Sequence, residues 1–236
     1  VSCHFRKTAS VKKRTDIVKI ANWNIERLKH SSKIDEIIQI LTDLDAEILV
    51  LTEFDSKICL ENYKYSVSTN LLSEIEPKNY RETENRVTIY SKYEILKQLE
   101  TFDKYTSLCV ELKTEFGNLV VYGTIIGIYG NRNQNFTTDL TKQISDFDKY
   151  AKDENFCIVG DYNISFSDNY YFTNFGRNEL DKAFDKNNLT LLTRTQKECI
   201  DHISISSKLA KEIKIEINEW NFDKKLSDHK GICVNL

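Results

Sequence analysis

Phe156-Cys157-Ile158-Val159-Gly160-Asp161-Tyr162-Asn163 is the stretch on which the reading of this chain turns. Its four leading apolar residues have the length and composition of a strand buried on both faces. Gly160 allows the backbone to turn sharply out of that strand. An aspartate and an asparagine follow, two residues apart and pointing the same way. Such a pair is either an Asx turn closing a strand or the beginning of a site.

Two later segments repeat the theme. Ile200-Asp201-His202-Ile203 and Ser227-Asp228-His229 each place an acid directly before a histidine, and together they use two of the chain's four histidines. Upstream, Asn22-Trp23-Asn24-Ile25-Glu26 follows one apolar run, and Leu49-Val50-Leu51-Thr52-Glu53 ends another in a carboxylate. Acid, amide and imidazole are the groups that metal-assisted attack on a phosphate ester requires. A divalent cation offsets the phosphate charge and lowers the pKa of a bound water, and magnesium prefers a few carboxylate oxygens together with retained waters.

On these residues alone, Glu53 is the best metal-ligand candidate, because a carboxylate closing a buried strand is costly unless paired or metal-bound. Asp161 can take a proton from the attacking water, and Asn163 can orient that water or hold a phosphate oxygen. His229 can share a proton near neutral pH if a carboxylate orients its other nitrogen, and Asp201 can supply that carboxylate from a neighbouring strand. The bland alternatives are a solvated strand-end acid for Glu53 and a surface turn for Asp228-His229. His202 alternates away from Asp201 and is expected to pack elsewhere, while His4 and His30 read as surface residues.

The rest of the chain supplies a scaffold. Strands are expected over 17–23, 47–52, 64–68, 86–91, 94–101, 108–114, 118–126, 156–160, 199–206, 213–219 and 231–236. Glu115-Phe116-Gly117-Asn118 marks a hairpin turn. Helices are expected from a Ser31 or Ser32 cap through Asp43, over 138–152, and over 179–187. Local strand pairs mixed with β-α-β units argue for two mixed sheets packed face to face with helices outside, and that architecture puts the acidic motifs at strand ends, where sites usually lie.

Composition limits the function classes. At 236 residues, 40% hydrophobic and 29% charged, the chain suits one large α/β domain over 17–236, behind a basic leader over 1–16. A net charge of −3 excludes a generic polyanion binder, so any nucleic-acid contact must come from a local patch. None of the six cysteines forms a CxxC pair, and most fall in apolar runs, so buried, reduced thiols are expected. No run approaches the roughly 20 apolar residues of a membrane span. The expectation is a cytoplasmic monomer.

With these motifs in place, the chain resembles the endonuclease/exonuclease/phosphatase superfamily, the fold of pancreatic deoxyribonuclease and of the exonuclease III type of abasic-site endonucleases. The matching segments are 19–25, 48–53, 160–163, 200–203 and 227–229, in the family's order over nearly the whole chain. No single motif is specific; the ordered set is. The resemblance implies a four-layer α/β sandwich and hydrolysis of phosphate esters with Mg²⁺ or Mn²⁺. It assigns Asn24 and Glu53 to the metal, Asp161 and Asn163 to water activation and phosphate orientation, Asp201 to orienting the histidine, Asp228 to the metal side, and His229 to catalysis. Where the family often carries a tyrosine or histidine against the scissile phosphate, Thr124 falls here, with Tyr129 or Arg132 as substitutes. Lys78, Arg81, Arg86, Arg132 and Arg177 are candidates for phosphate contact. Three readings follow: a metal-dependent phosphodiesterase acting on nucleic acid; a phosphatase or a lipid or inositol-phosphate phosphodiesterase on the same scaffold; and a binding module without catalysis.

Overall fold

The computed structural model describes residues 18–152, 155–211 and 214–236. The expected leader over 1–16, with Cys3 and His4, lies outside the described residues, as do Ile17 and Ile213 at the start of two expected strands.

Twelve strands are described: β1 (Lys19–Asn24), β2 (Ile48–Asp55), β3 (Tyr65–Ser68), β4 (Glu84–Ser91), β5 (Glu94–Leu99), β6 (Ser107–Thr114), β7 (Gly117–Ile125), β8 (Asn155–Asp161), β9 (Leu189–Leu191), β10 (Asp201–Ser206), β11 (Glu216–Trp220) and β12 (Gly231–Asn235). The helices are α1 (Ile34–Leu44), α2 (Gln134–Tyr150), α3 (Asn174–Lys186) and the single turn α4 (Ser207–Ala210). One six-stranded sheet runs β11-β12-β1-β2-β4-β3 and the other β5-β6-β7-β8-β10-β9. Each has one parallel pair at its centre, β1–β2 and β7–β8, among antiparallel neighbours.

Strand alternation explains the layers. In β1, Ile20 packs between the sheets with Val50, Val87, Val121, Val159 and Ile203. Ala21 and Trp23 face outward with Leu49 and Leu51, onto Ile37 and Leu41 of α1. On the other sheet, Tyr122, Phe156 and Ile158 face Phe136, Leu140 and Phe147 of α2 and Leu180 and Phe184 of α3. The result is the expected four-layer sandwich. Among the described residues, no helix is long and apolar enough to cross a membrane.

Several boundaries depart from expectation. Ser31 and Ser32 do not cap α1: they lie in a 3-10 turn, and the helix begins at Ile34 with no side-chain cap. Helix α2 starts at Gln134, before the expected Thr138, because the Asn133 side chain accepts from the Phe136 amide at 2.9 Å. Helix α3 starts at Asn174 because the Thr173 hydroxyl accepts from the Gly176 amide at 3.0 Å. Caps thus decided where two helices begin. Cys109, Cys157, Cys199 and Cys233 are buried free thiols, as expected, but Cys59 is exposed.

Candidate active site

Even-numbered residues of β1 face the other sheet. Asn22 and Asn24 therefore follow Ile20 into the space between the sheets, where β8 and β10 end. Asn22 Nδ2 donates to Asp201 Oδ1 at 3.1 Å. Asn24 Nδ2 donates to Asp161 Oδ2 at 3.2 Å and to Glu53 Oε1 at 3.3 Å. Asp161 and Asp201 sit directly opposite one another in the β8–β10 register, so neighbouring strands present both carboxylates to one face. His229 completes the group, its Nδ1–H donating to Asp201 Oδ2 at 2.6 Å. Ligand atoms of Asp161, Asp201 and His229 all lie within 4.8 Å of one another.

The backbone is bent to deliver these groups. Leu49 and Leu51 face α1, and strict alternation would send residue 53 there too. Instead Phe54 packs in that layer. Glu53 adopts a left-handed φ of 46°, which resets the phase and leaves its carboxylate beside Asn24. Gly160 is required by close approach: a Cβ there would stand 1.9 Å from the Thr124 carbonyl oxygen. Beyond β1, Glu26, Arg27 and Leu28 take φ values of 48°, 54° and 49°. Left-handed non-glycine residues cost about 1–3 kcal/mol each and gather at functional sites. Here Asn24 Oδ1 accepts from the Glu26 amide at 2.9 Å, and the Glu26 carboxylate accepts from the Asp228 amide at 3.2 Å. His229 is fixed through its own carbonyl, which accepts from Trp23 Nε1 at 3.1 Å and Asn221 Nδ2 at 2.7 Å.

Electrostatics divide the group. Burial, reinforced by Asp201 and Glu53 and opposed by His229, pushes the Asp161 carboxyl well above the usual carboxylate range. Burial disfavours charge on His229, but the adjacent Asp201, with Asp161 and Asp228, outweighs it and pushes the imidazolium well above neutrality. His202 behaves oppositely: burial drives it down to about 4. Its Nε2–H donates to the Ile164 carbonyl at 2.9 Å, which leaves Nδ1 to accept from the Thr193 hydroxyl at 2.7 Å. It is a neutral crosslink under the loop that carries Asn163.

The structure gathers Asn24, Glu53, Asp161, Asn163, Asp201 and His229. Asn163 donates to the Ile126 carbonyl at 2.9 Å and lies 3.4 Å from Asp161 Oδ2. Asp228 stays at the rim, 62% exposed, its carboxylate 3.7 Å from His229 Nε2. Thr124 is not brought to this group. Its hydroxyl bonds Gln143 of α2, because Tyr122 and Thr124 point to the helix side of β7. Arg86 Nη2 donates to the Tyr80 hydroxyl at 2.8 Å, and Arg132 lies in the loop after β7, in a depression lined also by Tyr129 and Tyr171. Arg81 is held by Asp55 at 3.0 Å and Glu84 at 2.7 Å, and Arg177 by the Ser165 and Asp168 carbonyls. Both are structural. Asn22 is the residue that motif reading overlooked. Its signal was present: it shares the face of Ile20 and Asn24.

The donor set suits a hard cation. Two carboxylates, Asp161 and Asp201, meet at one histidine, Glu53 joins them through Asn24, and the Asn22 side-chain oxygen is buried without a hydrogen-bond partner. Like charge held so closely out of water is relieved by a divalent ion with oxygen ligands.

A scan of family models returns no match, and a search of curated proteins returns none. Solved structures do match. An endonuclease/exonuclease/phosphatase from Beutenbergia cavernae is similar at 13% identity and TM-score 0.68, over 93% of this chain and 71% of that one. An AP endonuclease from Archaeoglobus fulgidus is similar at 14% identity and TM-score 0.66, over 92% and 98%. A humanized TDP2 from D. rerio is similar at 14% and 0.60, over 93% and 98%. The chain therefore has the deoxyribonuclease-like fold of the endonuclease/exonuclease/phosphatase structures, as the ordered motifs implied.

Proposed function

We propose that this protein is a divalent-metal-dependent phosphoesterase, a phosphodiesterase acting on nucleic acid. The observation that carries the reading is the group of buried Asp161 and Asp201 with half-buried His229, tied through Asn24 to Glu53 across the two sheets.

Asp161, with its raised affinity for protons, accepts the proton of the attacking water. Asn163 Nδ2, beside Asp161, orients that water or a non-bridging phosphate oxygen. Asp201 holds the His229 imidazolium by Nδ1–H, which leaves Nε2–H to donate to the phosphoryl oxygens as charge grows on them. Asn22 keeps Asp201 from turning away. Glu53 and Asn24, with Asp228 at the rim, would hold Mg²⁺ or Mn²⁺, which supplies charge neutralisation and a more acidic bound water. Asn24 now offers its NH₂ to the two carboxylates, so ligation through its oxygen requires the amide to turn and release the Glu26 amide. The retention of every acid argues against a binding module.

The test is hydrolysis of bis-p-nitrophenyl phosphate, single-stranded DNA, duplex DNA and RNA with Mg²⁺ or Mn²⁺, using Asp161→Ala as control. The variant is expected to fold and to lose turnover by about a hundredfold or more. Near-normal turnover in Asp161→Ala, or no metal-dependent cleavage of any diester by the wild type, refutes the proposal.

A further inference from the structure

We infer that the strand this cleft takes is unpaired: its rim is built to stack the bases of single-stranded nucleic acid beside the scissile phosphate. The inference rests on the phosphodiesterase reading and deepens it.

Two depressions flank Asn163. One, of about 350 Å³, is lined by Tyr170, Tyr171, Lys224 and His229, with Asn163 at its edge. The other, of about 410 Å³, is lined by Tyr129, Asn131, Arg132 and Tyr171. They share Tyr171, and Asn131 Nδ2 donates to the Asn163 carbonyl at 2.9 Å, so they lie side by side, the first reaching Asp201 and His229.

Aromatic rings line these depressions or stand near them. Tyr129 is 58% exposed and Tyr170 46%, and Phe222, 67% exposed, lies beside Lys230 of the first depression. Each comes from a different loop: β7–α2, β8–α3 and β11–β12. Two carry a cation: Lys224 Nζ donates to the Tyr170 hydroxyl at 2.8 Å, and Lys230 Nζ lies 5.7 Å from the Phe222 centroid. Arg132, in the loop of Tyr129, makes no hydrogen bond or ion pair among the described residues.

Charge alone cannot hold a duplex here. Duplex binding by phosphate contact typically uses about 6–10 Lys or Arg contacts. These depressions offer few cations, of which Lys230 is already paired with Glu219 at 2.5 Å, and Glu198 and Asp228 also line the first. Stacking a base on an aromatic ring contributes roughly 5- to 150-fold per base and needs no net positive charge. In a duplex the base faces are already covered, so protruding rings meet only sugar and phosphate. An unpaired strand offers a free face at every base. It can also bend its phosphate down to Asp161 and Asp201, which are 3% and 2% exposed beneath the rim.

The experiment measures kcat/KM with Mn²⁺ on four substrates: a single-stranded oligonucleotide, its duplex, a strand of equal length carrying tetrahydrofuran in place of bases, and bis-p-nitrophenyl phosphate. Wild type is expected to prefer the base-bearing single strand about tenfold or more over both the duplex and the abasic strand. In Tyr170→Ala the ratio of base-bearing to abasic strand falls toward one, and Tyr170→Trp restores it. Equal or better cleavage of the duplex, a ratio of one in the wild type, or cleavage of bis-p-nitrophenyl phosphate but of no strand overturns the inference. Loss of bis-p-nitrophenyl phosphate hydrolysis as well overturns the hydrolase reading beneath it.

Discussion

Acidification should weaken this fold through one residue outside the proposed catalytic group. His202 is fully buried between Tyr162 and Phe166, whose ring centroids lie 5.3 and 5.2 Å from its own. Its ordinary pKa of 6.5 falls to about 4 in the native state, chiefly through burial. Between those values the unfolded chain binds a proton that the native chain does not, so stability falls as pH drops through that window. The loss is about 2 kcal/mol at pH 5 and about 3 kcal/mol once both states are protonated. The hydrogen bonds explain the reluctance. The Thr193 hydroxyl already accepts from the Ile203 amide at 3.2 Å and donates to His202 Nδ1, and a proton on Nδ1 would strip that donor of its acceptor. Glutamine can reach the same two partners without titrating. Urea midpoints of wild type and His202→Gln, in metal-free buffer from pH 7.5 to 4.5, isolate the effect, because the pH dependence of the acid cluster is common to both. Glutamine costs packing at every pH. Its deficit relative to wild type is expected to shrink by about 2 kcal/mol between pH 7.5 and 5. Parallel curves would mean that His202 titrates normally in the native state, and the account of it as a neutral crosslink would fail.

Glu53→Ala should raise the concentration of Mg²⁺ or Mn²⁺ needed for half-maximal activity and shrink the thermal shift that the ion gives. That shift corresponds to about 2.7 kcal/mol at a hundredfold excess over Kd for a ligand that binds only the native state. Unchanged metal dependence in both assays would remove Glu53 from the ligand set. Gly160→Ala should cost about 3 kcal/mol or more, or abolish soluble expression, because its methyl would meet a strand carbonyl that cannot move without parting β7 from β8. A variant melting with the wild type would show that the strands yield.

Period-2 alternation and buried apolar runs made the layers legible, because Ile20, Val50, Val121 and Val159 each announce a strand with one face on a common core. Glu53 and Asp161 were legible because each breaks such a run near its end, and Asp201 and Asp228 because each directly precedes a histidine. What alternation could not reveal is where it fails. Glu53 resets its strand through a left-handed residue with no glycine to signal it, and the strand then runs on to Asp55, past the expected end at Thr52. Thr124 was placed by alignment of motifs, but one residue of phase on β7 decides whether a hydroxyl meets phosphate or helix, and it meets Gln143. Cationic loops were the least legible: Arg81 and Arg177 looked the same in sequence as Arg132, and only their carboxylate and carbonyl partners tell them apart.

The division of labour between strands and loops follows from the same geometry. Asn22, Asn24, Glu53, Asp161 and Asp201 come from both sheets, and the Asn22–Asp201 and Asn24–Asp161 bonds cross between them. Their spacing is therefore set by the intersheet core, where even a methyl is unwelcome: a Cβ on Gly123 would stand 2.8 Å from Val87 Cγ1. A core that tightly packed is stiff, and stiffness is what a cluster of like charges needs if it is not to spread apart. The aromatic and cationic groups of the rim come from loops tied to the cores at points such as Ile128 beside Tyr129 and Leu226 near Lys224. On the proposed reading, changes at Tyr129 and Arg132 can alter which strand is held without disturbing Asp161 and Asp201, whereas His229 shares its loop with Phe222, Lys224 and Lys230 and depends on Trp23 Nε1 and Asn221 Nδ2 to hold its place.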